Sequence, residues 1–247
     1  MTGKRRLVAA LLVLNLFLPA GCRLGGEAPR PSPQRKAGRP KPAKPFLPPQ
    51  FSSMESNALR LYSGAGGGWS WAEAPPLQEK LRADWGRLQG DLKLVNVPRT
   101  KLAAVEVHLN GIDTGIKTKD RFKVAEQANE LIGALQGLSR KFQSAVPAEL
   151  ILLQTDVREI RLHAGGANWS ITKELLKSAR QDWEKLKPKG KEAGAEALGK
   201  NIESYFKELE AAVKAKDAGK TEAILDRIDS DLETLRTTFT RQFQDLK

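Results

Sequence analysis

The chain has 247 residues, with 41 Lys and Arg against 29 Asp and Glu, two His and one Cys. One thiol cannot close a loop within its own chain, which excludes a disulfide scaffold. Hydrophobic residues make up 40% and charged residues 28%. No run reaches the roughly 18 to 20 apolar residues of a permanent span, so a polytopic transporter or channel is excluded as well.

The first 22 residues read as an export signal. Lys4, Arg5 and Arg6 form a charged start, and Leu7 to Leu18 is apolar apart from Asn15. This order and length match a signal peptide and are too short for a spanning helix. The stretch ends in Leu18-Pro19-Ala20-Gly21-Cys22, which resembles the lipobox of bacterial lipoproteins, where small residues precede a cysteine. The resemblance implies cleavage between Gly21 and Cys22, a diacylglycerol on the Cys22 thiol and a further acyl chain, such as palmitate, on the new amino terminus. The only cysteine of the chain stands where lipid attachment needs it. Two or three acyl chains, at about 0.8 kcal/mol per buried CH₂, would hold the protein on a bilayer outside the cytoplasm. Arg23 stands where an inner-membrane retention signal would carry Asp, which points to the outer membrane in a cell that has one. An ordinary secretory signal or an uncleaved N-terminal anchor is the alternative.

From Arg23 to Gln50 the chain carries eight of its 14 prolines. Each proline removes a backbone donor and fixes φ, so residues 22–50 read as a lipidated Cys followed by a disordered, extended linker. Its 28 residues after Cys22 would reach at most roughly 85 Å in polyproline II geometry. Of the formal charge of +12, three units lie in the signal and six, net, in the linker, which leaves +3 for residues 51–247. A basic linker beside a bilayer is attracted to anionic lipid or wall polymer by about 1 kcal/mol per cation near the surface. A nucleic-acid binder would carry its charge on the folded body, so nucleic acid is not an expected partner.

The remaining sequence repeats itself. A shift of 98 residues superposes Trp71, Leu77, Asp84, Trp85 and Leu88 on Trp169, Leu175, Asp182, Trp183 and Leu186. A shift of 97 superposes Val105, Leu109, Ile112 and Ile116 on Ile202, Phe206, Leu209 and Val213, and Leu131, Leu135, Leu138 and Phe142 on Ile228, Leu232, Leu235 and Phe239. Apolar spacings of i, i+4, i+7 and i+11 are an α-helical stripe, and strand alternation is missing. The fold class expected is all-α, with two tandem up-and-down four-helix units, residues 51–146 and 147–247. In the first, helices are predicted near 51–62, 70–90, 98–115 and 118–145. In the second they fall near 147–164, 168–187, 191–215 and 217–245. Gly64 to Gly68, Gly165-Gly166 and Lys187-Pro188-Lys189-Gly190 are read as turns or breaks.

Tryptophan faces stack on sugars, bases and quaternary amines, but the 14-residue spacing of Trp71 with Trp85, and of Trp169 with Trp183, fits buried helix faces better. Trp69, unmatched in the second copy and beside the glycine cluster, is the better ligand candidate. Arg60 and Arg161 are matched by the similarity of Leu59-Arg60-Leu61-Tyr62 to Ile160-Arg161-Leu162-His163. They read either as braces to Asp84 and Asp182 or as an anion site. His108 and His163 lack metal-ligand spacing, no metal or cofactor beyond the covalent lipid is expected, and no catalytic motif is present. In its lipobox, linker and helical body the chain resembles uncharacterised all-helical lipoproteins of bacteria. The function expected is that of a membrane-anchored, non-catalytic binding or scaffolding module at the cell envelope with a protein or envelope-polymer partner. A small-ligand receptor using Trp69, Arg60 and Arg161 is the alternative, and a hydrolase of envelope polymer a third.

Overall fold

The apolar stripes become the inner faces of helices: Val105, Leu109 and Ile112 are fully buried, as are Leu131 and Leu138, with Leu135 at 1%. The computed structural model describes residues 44–67 and 69–245. The signal, the Cys22 attachment point and the linker up to residue 43 lie outside these described residues, as does Gly68. The described residues hold eight α-helices: α1 Pro49–Gly67, α2 Ala74–Leu94, α3 Arg99–Thr118, α4 Arg121–Ser139, α5 Ala148–Gly165, α6 Trp169–Glu192, α7 Glu196–Ala215 and α8 Ala218–Asp245. A short 3-10 turn, Trp71–Glu73, leads into α2, and no strand occurs among the described residues beyond a single Phe46 to Gln143 bridge. The chain is therefore all-α. None of the described helices is long and apolar enough to cross a membrane.

Helix α1 packs on α2 and α4, and α3 packs on α2 and α4; α5 packs on α6 and α8, and α7 on α6 and α8; α4 packs on α5. Phe51, Met54, Leu61, Leu81, Leu88, Ile132, Ile160, Trp183, Phe206 and Leu232 belong to one continuous buried apolar cluster. Two helix ends use the same device. Lys119 and Lys216 take left-handed φ of 55° and 57° after α3 and α7. The amides of Asp120 and Asp217 reach back to Gly115 and Ala212 at 2.9 and 3.0 Å, closing Schellman-type ends. Each aspartate then caps the next helix, accepting from the Lys123 or Lys220 amide at 3.0 and 2.9 Å.

Two expected breaks are absent. Helix α1 continues through Gly64 to Gly67, and the bare backbone at Gly64 admits the Trp69 ring, which a Cβ there would meet at 2.4 Å. Helix α6 runs through Pro188 to Glu192. Pro188 is exposed, so the carbonyl deprived of its donor can be met by water. The turn falls instead at Ala193 to Ala195, where Gly194 takes φ 75°. Just before α1 the chain is pinned to the segment after α4: the Leu47 amide donates to Gln143 O at 3.2 Å, and the Gln143 amide donates to Pro45 O at 2.8 Å.

Candidate functional site

The seams between α2 and α3 and between α6 and α7 carry the same polar brace. In the first, the Trp85 indole donates to Glu106, Arg82 donates to Glu106 at 3.0 Å and to Asp113 at 2.6 Å, and Gln89 donates to Glu106 at 3.2 Å. In the second, the Trp183 indole donates to Glu203 at 3.0 Å, and Arg180 donates to it at 2.9 Å. Arg180 also lies 3.3 Å from Glu210, and Lys187 donates to Glu203 at 3.2 Å. Trp85 and Trp183 are buried at 3% and 1%, so their rings pack in the core and only the indole N–H meets a polar partner. The hydrogen bond from Trp183, with those from Lys187 and Arg180, holds the Glu203 carboxyl down at about 2. A carboxylate held so low stays ionised near neutral pH and serves as an anchor, not a proton donor. The four brace residues Arg82, Arg180, Glu106 and Glu203 were not singled out in the sequence, although the shift of 98 that aligns the tryptophans also aligns Arg82 with Arg180, and the shift of 97 aligns Glu106 with Glu203.

The α6–α7 seam opens into two hollows on either side of this brace. One, of about 780 Å³, is lined by Trp169, Leu176 and Val213 with Lys173, Lys177 and Lys214 around them. The other, of about 580 Å³, is floored by Trp183, Gly190, Ala195, Gly199 and Leu235 and bordered by Lys187, Lys191, Lys200 and Lys207. Along α6 the lining residues 169, 173, 176, 180, 183, 187 and 190 follow one another at spacings of three and four. Such spacing places them on one helix face, so the two hollows belong to a single seam. Together they gather nine cations and three carboxylates, Glu196, Glu203 and Glu210. The seam thus offers apolar floors inside a strongly positive border.

The residues picked from the sequence lie apart from this seam and from one another. Trp69 is half-buried under Gly64, and its carbonyl accepts from Arg121 at 3.1 Å. Arg121 also stacks over Trp71, 5.3 Å from the ring centroid. Arg161 does not brace α5 to Asp182; it binds α8 through Glu222, Asp226 at 2.9 Å and Asp229 at 2.6 Å. Burial works against its charge, but these carboxylates outweigh it and raise its pKa. Arg60 lines a shallow polar hollow on α1 with Glu55, Ser56 and Arg236, and pairs with no acid among the described residues. Asp84 accepts instead from Ser53 at 2.6 Å, and Asp182 pairs with Lys185 at 2.6 Å.

Nor are Arg60 and Arg161 equivalent. The buried positions of α1 and α5, Phe51 with Leu150, Met54 with Leu153, Ala58 with Val157, Leu61 with Ile160 and Ala65 with Ala164, align at a shift of 99. In that register Arg161 corresponds to Tyr62. The match of short strings at a shift of 101 followed composition, whereas packing fixes the core-facing spacing.

A buried polar cluster joins α4 to α5. Asn129 donates to Glu159 at 2.8 Å and to the Thr155 carbonyl at 2.9 Å, while accepting from Arg158. The His163 ring is 3.6 Å from Glu159 and meets the Phe122 ring edge-on. Burial pushes the Glu159 carboxyl up to about 7, against the Asn129 hydrogen bond, and Glu130 and Glu126 add to the rise. Burial likewise raises Asp156 to about 6. His108 sits 3.1 Å from Glu130; burial lowers its pKa, but the hydrogen bonds with Glu130 and Gln127 prevail and raise it. The described residues hold no group of three or more His, Cys, Asp or Glu arranged for a metal ion. No protein-family model matches the chain, and neither a curated protein nor a solved structure shows a significant likeness to it.

Proposed function

We propose that this chain is a lipid-anchored, extracytoplasmic binding module without catalytic activity, tethered through Cys22 and a basic linker, whose body engages a partner through the α6–α7 seam. The observation that carries the binding role is the pair of hollows, about 780 and 580 Å³, whose apolar floors lie within a lysine border. A packed helical pair usually closes such space, and open apolar surface bounded by charge is typical of interaction sites. The body is read as two tandem four-helix units, 51–146 and 147–247. Support comes from the packing of α1 to α4 among themselves and of α5 to α8 among themselves, from the paired Asp120 and Asp217 caps, and from the repeated Trp, Arg and Glu brace. A second reading, a receptor for a small ligand, is favoured by the size of the larger hollow, which falls within the range of small-molecule sites.

Cys22→Ser tests the anchored reading. The variant should leave the membrane fraction or accumulate as a precursor that retains its signal. Unchanged processing and unchanged membrane association would defeat the proposal. In-cell crosslinking from a photoreactive residue at position 173 should trap a discrete partner, whereas the same residue at Arg87, on the exposed side of α2, should not.

A further inference from the structure

The two halves share a brace, and its seam differs between them in a few residues. Under the 98-residue shift Gly190 falls on Leu92, and under the 97-residue shift Gly199 falls on Leu102. Leu92 is fully buried and Leu102 packs against the core, so in the first half these two side chains fill the seam. In the second half the same places are glycines. A Cβ at Gly190 would stand 3.6 Å from Leu235 and one at Gly199 would stand 3.9 Å from Trp183, both ordinary contacts. Neither glycine is needed to relieve a clash, and neither has a positive φ. Their effect is to leave space.

Charge differs as well. Lys173, Lys177, Lys187, Lys200 and Lys207 replace Pro75, Glu79, Gln89, Ala103 and Asn110. The positions that line the hollows carry nine cations and three carboxylates, whereas their first-half counterparts carry five cations, Arg82, Lys93, Arg99, Lys117 and Lys119, and three carboxylates, Glu79, Glu106 and Asp113. Lys173, Lys191, Lys207, Lys214 and Lys216 form no ion pair among the described residues, while Arg180 and Lys187 are held by the brace. The cations are also spread out. Lys173 and Lys191 are about 27 Å apart along α6 at 1.5 Å per residue. An anionic lipid has its charge at one end and would need the cations gathered there. An occupant with an apolar stripe and acids distributed along both flanks matches the whole border.

Resting on the binding role proposed above, we infer that the α6–α7 seam is a groove for an acidic amphipathic helix of a partner protein. Its apolar stripe lies on Trp169, Leu176, Val213, Gly190 and Gly199, and its Asp or Glu side chains face the unpaired lysines. Helix-in-groove recognition of this kind reads anchors at i, i+3, i+4 and i+7 and gains its selectivity from the charged flanks. The seam from Trp169 to Lys191, about 33 Å, accommodates roughly six turns.

The test uses the full chain in detergent-containing buffer and a fluorescein-labelled peptide of about 20 residues, with Leu on one helix face and Glu on both flanks. Anisotropy should report saturable binding that weakens as salt rises, and at least tenfold weaker binding of the same peptide with Lys in place of Glu. Filling the groove with Gly190→Leu and Gly199→Leu should weaken the acidic peptide at least tenfold. So should Lys173→Glu with Lys177→Glu and Lys214→Glu, a surface set that keeps the fold testable if the filled variant fails to fold. Equal affinity for both peptides, or binding indifferent to both sets of changes, overturns the inference. Failure of the peptide to bind while phosphatidylglycerol or oleate binds at the same lysines also overturns it, in favour of a lipid. All these readouts are independent of Cys22, so a failed groove and a failed anchor give different results.

Discussion

Trp183 shows how one side chain serves two ends. Its ring is sealed in the core between α6 and α7, and its N–H holds Glu203 at 3.0 Å at the boundary between the two hollows. Replacing it by Ala should cost about 3 to 5 kcal/mol, as for other buried aromatics. Trp183→Phe keeps most of the packing and removes the hydrogen bond, which should cost about 1 to 2 kcal/mol, towards the low end because Glu203 is partly solvated. Urea denaturation of the two variants separates the contributions, and an unchanged stability of Trp183→Phe would mean that the N–H contributes nothing. Of the pairs spaced by 14 residues, Trp85 and Trp183 are buried as that spacing suggested, whereas Trp71, in the turn before α2, and Trp169, at the start of α6, are only half-buried. The acidic partners were not legible, because a carboxylate one helix away leaves no trace in local periodicity.

At the scale of the element, the positions of α3, α4, α7 and α8 could be read from apolar stripes, since one face of each is core. The limits of α1 and α6 could not. Glycines after Tyr62 and the Lys187-Pro188-Lys189-Gly190 string look like stops, yet both helices run on. In α1 the bare backbone at Gly64 lets Trp69 lie close, so glycine there marks an approach and not a turn. In α6 a proline on the exposed side is tolerated at a cost. Pro188→Ala should therefore stabilise the protein by about 1 to 3 kcal/mol, seen as a higher midpoint in thermal unfolding monitored by circular dichroism. A lowered midpoint would show that the proline contributes a contact which outweighs its missing donor.

Over the whole molecule, stability should depend on pH in a way set by groups at helix junctions. Glu159 is raised from 4.5 to about 7, so its native state holds a proton that the unfolded chain releases. Its contribution is fully present below about 4.5 and lost as pH rises through about 7. His108, raised above 6.5, acts in the same sense: its contribution is present below 6.5 and fades as pH climbs through its native value. Glu203, lowered from 4.5 to about 2, acts oppositely, its contribution present above 4.5 and lost as pH falls towards 2. The maximum should lie near pH 4.5, where Glu203 is ionised and Glu159 is still protonated in the native state. Glu159→Gln should raise the denaturation midpoint at pH 8 and flatten the fall in stability between about pH 4.5 and 7; an unaltered slope there would remove Glu159 from this account.

The all-α class was legible from the stripes, and the concentration of positive charge before residue 51 from simple counting. The seam was not, because a hollow arises from what is missing, and Gly190 and Gly199 are conspicuous only beside Leu92 and Leu102.

The clasp between Pro45–Leu47 and Gln143 decides how the body bears a pull. Tension arriving from the amino end meets two main-chain bonds to a residue midway along the polypeptide before it reaches the first turn of α1. A load applied there passes to a residue near the middle of the chain, so it does not peel the helices away one by one from the front.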